Sequence, residues 1–244
     1  MRRYLLYPLL FLLLLLAGPA ALLLSGQIDL QTSWSNADRS SAQLAPDPAR
    51  TPEAVVQVYA ARAYNWRGAF AVHSWIATKA ANASQYRVRQ VTGWRRPTVI
   101  DRYDVPDRAW FGSQAQLLGE LRGEAAARAI TEIDRLLPGY PYADEYRAWP
   151  GPNSNTFVAW LLRRVPELQV ALPSNALGKD YLGPQLLAAT PSKSGYQLSL
   201  GGLFGATLAA QEGLELNVLG LVVGFDWQQR AIKLPGMGEV RLLQ

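Results

Sequence analysis

Trp149-Pro150-Gly151-Pro152-Asn153-Ser154-Asn155-Thr156-Phe157-Val158-Ala159-Trp160-Leu161-Leu162 decides how this chain is read, because it sets a polar tripeptide at a loop-to-helix junction. Two prolines and a glycine hold the approach out of helical geometry, after which Phe157, Trp160 and Leu161 recur at helical spacing. Pro166 closes the helix. Ser154 therefore sits at or beside a helix N-terminus. Serine and asparagine are preferred helix caps, so capping alone accounts for Asn153-Ser154. A serine beside unpaired backbone N–H groups is also where an acyl-transfer nucleophile would sit, with those groups as oxyanion donors.

Upstream, residues 113–137 carry Leu117, Leu118, Leu121, Ala125, Ala129, Ile133 and Leu136 at spacings close to helical, which predicts one long amphipathic helix. Pro138-Gly139-Tyr140-Pro141-Tyr142 ends it, and the loop beyond leads through Tyr146 and Trp149. Tyr142 and Trp149 would wall a cleft beside Ser154, or belong to the core. Two alternating runs, 70–78 and 86–94, flank Ala81-Asn82-Ala83-Ser84 and read as a β-hairpin, with a third strand at 97–103. The one histidine, His73, lies in the first run, and Arg89, Gln90 or Val91 would face it, depending on register. A lone histidine among apolar strand residues is a core residue or a general base. Thr51-Pro52-Glu53 predicts a helix over 51–64, with Thr51 as cap and Pro52 at the first helical position.

At the amino end Arg2 and Arg3 precede residues 4–24, which carry no charge and are mostly leucine. At about 1.5 Å per residue such a helix would span roughly 30 Å, the thickness of a bilayer's hydrocarbon core. A retained anchor and a cleavable signal segment are both compatible with it, and the flanking arginines would place the amino end in the cytoplasm. Residues 25–50, rich in Ser, Asp, Gln, Ala and Pro, read as a juxtamembrane linker that gives the domain reach. Residues 168–194 read as loop that could cover a cleft, with Asn175, Lys179 and Asp180 on its surface or lining that cleft. Strands are expected at 196–200, 215–225 and 231–234, punctuated by glycines. A second membrane helix over 198–225 is disfavoured by Gln211, Glu212, Glu215 and Asn217.

The chain has 244 residues, 49% of them hydrophobic, and no cysteine. That supports one sizeable core and excludes disulfides, thiolate chemistry and cysteine metal sites. With one histidine and no ligand-spaced cluster, no metal or cofactor is expected. Of 24 basic residues Arg2 and Arg3 belong to the anchor, leaving 22 against 19 acidic, too mild a surplus for a nucleic-acid partner. Arg87, Arg89, Arg95, Arg96 and Arg102 read as a solvated strand face, or as a surface for anionic lipid or polymer.

A histidine strand, a polar residue on the next strand, a Tyr-Pro-Tyr loop and an Asn-nucleophile-x-x-Phe helix together resemble the permuted NlpC-type and LRAT-like papain-fold hydrolases. Val72-His73-Ser74-Trp75-Ile76 matches the histidine strand, and Asn153-Ser154-Asn155-Thr156-Phe157 the nucleophile helix, with serine where those enzymes have cysteine. Together with Leu172-Pro173-Ser174-Asn175-Ala176-Leu177-Gly178-Lys179-Asp180-Tyr181, the same stretch is more similar to a proteobacterial membrane-anchored family known only as a domain of unknown function.

The resemblance implies an α+β fold of permuted NlpC, papain-like type. Residues 1–24 would be the transmembrane anchor or signal, 25–50 the linker, 51–170 the papain-like domain, and 171–244 a loop and glycine-rich β-subdomain. It further implies a single-pass protein of a bacterial inner membrane with its body in the periplasm. Ser154 would be nucleophile, His73 base and Gln90 its orienter, with Asn153, Asn155, Tyr142 and Trp149 binding substrate. The reaction would be hydrolysis or transfer of an acyl group on peptidoglycan peptides, lipid esters or lipoprotein amides. A serine is harder to activate than the thiolate it replaces, which leaves a non-catalytic envelope binding or structural protein as the alternative.

Overall fold

The structure is a computed structural model that describes Arg2 to Leu242; Met1, Leu243 and Gln244, the outer ends of the expected anchor and C-terminal segment, lie outside the described residues. Helix α1 (Arg2–Leu24) takes up the leucine-rich segment and is long and apolar enough to cross a membrane. Its carboxyl half meets the body. Leu22 is buried with Ile28 and Ala69, and a Cβ at Gly18 would collide with the Pro235 carbonyl. The stretch that follows is laid onto the body rather than standing free of it. The buried Asp107 carboxylate accepts hydrogen bonds from Ser41 Oγ at 2.6 Å and from the Leu44 and Ala45 amides at 2.6 and 3.1 Å.

Five antiparallel strands form the first sheet: β1 (Val55–Arg62), β2 (Val72–Lys79), β3 (Arg87–Val91), β4 (Val99–Tyr103) and β5 (Gln116–Arg122), in the order β4-β3-β2-β1-β5. The expected hairpin and third strand are β2, β3 and β4. Two expected helices are corrected. The helix expected over 51–64 is instead β1, Val55–Arg62, the strand between β2 and β5. It is covered on both faces, so its valines read as a continuous apolar run rather than an alternation. Residues 113–137 divide into β5 and helix α2 (Gly123–Leu136). Gly119 lets β5 pass against Val170, and Gly123, at φ +62°, turns strand into helix.

Helix α3 (Ser154–Arg164) forms as expected and packs with α2 on one face of this sheet. Val56, Val58, Ala60, Val72, Ile76 and Val91 meet Ala126, Ala129, Ile133, Phe157 and Leu161 there. The other face buries Tyr59, Ala61, Trp75, Ala77 and Val88 beneath Ala42, Ala45 and Trp110.

The second sheet is a seven-stranded antiparallel meander of β6 (Leu187–Ala189), β7 (Gly195–Leu200), β8 (Phe204–Ala209), β9 (Gly213–Val218), β10 (Leu221–Asp226), β11 (Ala231–Leu234) and β12 (Gly238–Arg241). The strand expected over 215–225 is two strands joined by Leu219-Gly220, both at positive φ, as a tight hairpin turn requires. Its faces are inverted relative to a soluble sheet. Gln197, Ser199, Thr207, Glu215, Asn217 and Lys233 point inward and are buried, whereas Tyr196, Leu198, Leu200, Leu208, Leu214 and Leu216 are exposed. The architecture is therefore α+β: three α-helices among the described residues and two antiparallel sheets.

Candidate functional site

The α3 N-terminus is a closed hydrogen-bond network. Asn153 is the N-cap, with its side-chain oxygen accepting from the Asn155 and Thr156 amides while its own backbone N–H donates to Thr156 Oγ1 at 3.1 Å, completing a capping box. Asn153 Nδ2 donates to the Ala148 and Leu177 carbonyls at 3.1 and 2.9 Å. Asn155 Nδ2 donates to the Val72 carbonyl at 2.9 Å and the Leu177 carbonyl at 2.8 Å, and its Oδ1 accepts from Ser74 Oγ at 2.8 Å. Thr156 Oγ1 donates to the Gly178 carbonyl at 2.7 Å. Two of the amides named as oxyanion donors, those of Asn155 and Thr156, are thus taken up by the cap, and Asn153 and Asn155 tie α3 to β2 and to the 172–181 loop.

Of the three residues that the hairpin left open as partners of His73, Gln90 reaches it, with Nε2 and Oε1 at 2.8 Å. Ser154 does not join them. Along β2, Val72 and Ile76 pack against α3 and Ser74 bonds to Asn155, so these even-numbered side chains face the helix. His73 points the other way, with Trp75 and Ala77, and its ring stacks on Trp110 with centroids 3.5 Å apart and planes 6° off parallel. Ser154 is buried at the end of α3, across the sheet from the imidazole, and among the described residues its hydroxyl makes no hydrogen bond to His73. Burial lowers the His73 pKa to about 4, against the opposing effect of its bond to Gln90. The ring is neutral near pH 7, held by aromatic stacking and one amide.

The expected cleft wall is divided between two structural roles. Tyr142 lies edge-on to Tyr140 and Tyr181, and Trp149, half exposed, donates Nε1–H to the Leu219 carbonyl at 2.9 Å, pinning the β9–β10 turn to the loop that precedes α3. Among the described residues no three His, Asp or Glu side chains are grouped to hold a metal ion.

Lys179 and Asp180 are not surface-loop residues. Both are buried beneath the second sheet, where Lys179 Nζ contacts Asp180 at 2.8 Å and Glu215 at 2.6 Å, and Lys233 Nζ reaches the other Glu215 oxygen at 2.7 Å. Burial works against the Lys179 charge, yet the Asp180 and Glu215 carboxylates hold its pKa above the ordinary lysine value. Asn217 Nδ2 and Gln197 Nε2 complete the shell around Asp180 at 3.1 and 3.3 Å, and Arg163 donates to Gln197 at 2.6 Å. Asn175, also buried, donates to the Gly236 carbonyl at 3.2 Å. The alternation Leu214-Glu215-Leu216-Asn217 is the sequence signal for this cluster, since it places Glu215 and Asn217 on one face of β9.

Residues 53–181, more than half of the chain, match the family described as "Protein of unknown function (DUF3750)", and the chain belongs to that family. The match takes in the first sheet, α2, α3 and the loop to Tyr181, and stops before the second sheet. No curated protein and no solved structure matches the chain.

Proposed function

We propose that this member of the DUF3750 family is a non-catalytic, single-pass envelope protein, in which α1 crosses the inner membrane and the body acts in the periplasm as a binding or structural module. The observation carrying this reading is that the first sheet stands between Ser154 and His73. A serine hydroxyl is a weak nucleophile without a base in hydrogen-bond reach, and the base here is stacked on Trp110 on the far face. Any likeness to the permuted NlpC-type fold would then be that of a scaffold, with the cap network where the papain-type hydrolases keep their reactive pair. The arginines at positions 2 and 3 favour a cytoplasmic amino end.

Covalent labelling of the full chain in lipid nanodiscs with fluorophosphonate and β-lactone probes tests this. The expected result is no Ser154 adduct, and the same background for the wild type and Ser154→Ala. Labelling abolished by both Ser154→Ala and His73→Ala would replace this reading with serine-dependent acyl transfer. Protease protection in spheroplasts tests the orientation: cleavage of the body from outside the intact inner membrane is expected, and protection would reverse it.

A further inference from the structure

We propose that the outer face of the second sheet rests in the lipid leaflet that α1 enters at its carboxyl end, so that the body is held on the bilayer by a sheet surface as well as by a helix. This rests on reading α1 as membrane-spanning.

The outward positions of the sheet form unbroken apolar rows. Tyr196 pairs with Leu208, Leu208 with Leu214 and Leu214 with Phe225, four strands in line. Their exposures are 68, 63, 44 and 39%, so none of the described residues covers them. The next row runs Leu198, Ala206, Leu216, Val223. Every charged residue paired within these strands points to the other face, and the buried Lys179–Glu215–Lys233 cluster lies on that inner side. A water-facing sheet alternates the opposite way. At about 4.8 Å between strands and about 3.3 Å per residue, seven strands of three to six residues present roughly 550 Å² of footprint, the upper end of what soluble monomers leave uncovered.

The position of α1 favours lipid as what covers this face. With Arg2 and Arg3 outside the hydrocarbon at one end, the helix length of about 34 Å puts Leu24 close to the opposite boundary. Leu15 then lies about 14 Å below Leu24, deep in the leaflet. Yet Leu15 is buried in the protein, Gly18 abuts Pro235 and Met237 in the β11–β12 turn, and α1 touches β10. That corner of the second sheet must therefore sit at hydrocarbon depth. From it the uncharged face extends without interruption, as a surface that displaces lipid headgroups would.

The native chain lacks cysteine, so single reporters are unambiguous. Leu208→Cys, Leu216→Cys, Leu14→Cys in α1 and Ala127→Cys on the exposed side of α2 would each be labelled with an environment-sensitive fluorophore. The full chain is then reconstituted in vesicles of equal parts phosphatidylethanolamine and phosphatidylglycerol, doped with nitroxide-bearing lipid. The labels at 208 and 216 are expected to be quenched by the nitroxide lipid about threefold more than the label at 127, and to be poorly accessible to iodide. Quenching by iodide but not by lipid at 208 and 216, with the label at 14 still quenched by lipid, would overturn the inference and leave the anchor standing. Shielding from both quenchers, with energy transfer between labelled copies, would overturn it in favour of self-association. Loss of lipid quenching at 14 as well would overturn the anchor and the inference together.

Discussion

His73 is a buried imidazole whose folded site disfavours the proton. Its pKa of about 4, against the ordinary value of 6.5, follows first from burial and is only partly offset by Gln90 Oε1. Above pH 6.5 both folded and unfolded chains hold it neutral, and its contribution to stability is fully present. Between pH 6.5 and 4 the unfolded chain takes up a proton that the folded site refuses, so stability falls with pH, by about 3 kcal/mol in total. Urea unfolding of the full chain in nanodiscs, compared with His73→Gln, isolates this component. The wild type should lose more stability than the variant across that window, and equal losses would mean that the imidazole is solvated. The same residue shows what sequence could and could not supply. That a residue of β3 would face it was legible from the hairpin, though not which of Arg89, Gln90 and Val91. The face of the sheet was not, because it is set by where α3 packs, a contact between segments some 80 positions apart.

At the level of elements, α1, α3 and the β2–β3 hairpin follow from periodicity and punctuation, while β1 and β5 do not. Both faces of β1 are covered, which erases the alternation that marks a strand, and the leucines of β5 happen to continue the spacing of α2. The second sheet misleads for another reason, since its leucines face outward and its ions inward. The inner ions are Lys179, Lys233, Asp180 and Glu215, with side chains at most 7% exposed, and Glu239 lies at their rim 3.5 Å from Lys233; removing a buried member leaves an opposite charge undercompensated. Glu215→Gln keeps the shape, but strips the shared counter-ion from Lys179 and Lys233. It should lower stability by about 3–5 kcal/mol in urea unfolding, as expected for a broken buried pair. A loss within 1 kcal/mol, the range typical of surface pairs, would show that water reaches the cluster.

Across the whole molecule the β11–β12 turn joins the parts that sequence reading treated as separate. The Gly236 carbonyl accepts from Arg62 at the end of β1 at 3.1 Å and from Asn175 at 3.2 Å, while the turn itself lies against Gly18 and Pro19 of α1 and the Ala69 carbonyl. Helix α1, the first sheet, the loop and the second sheet thus converge on three residues. Gly18 is the position at which this junction is easiest to break, because any Cβ there meets the Pro235 carbonyl, which belongs to backbone and cannot rotate away. Gly18→Leu adds bulk and hydropathy, so α1 remains helical and membrane-compatible while its seat on the body is lost. Overpacking of this kind costs about 1–3 kcal/mol, which converts to roughly tenfold or more in local opening. Hydrogen exchange on the full chain in nanodiscs should show that acceleration at residues 66–70 and 236–240. The amides of β2 and β3 should stay as protected as in the wild type, and so should the turn in Ala17→Leu, whose side chain faces outward. Unchanged protection of the turn in Gly18→Leu would mean that the helix is not held against it, and that the body is free to tilt on its anchor.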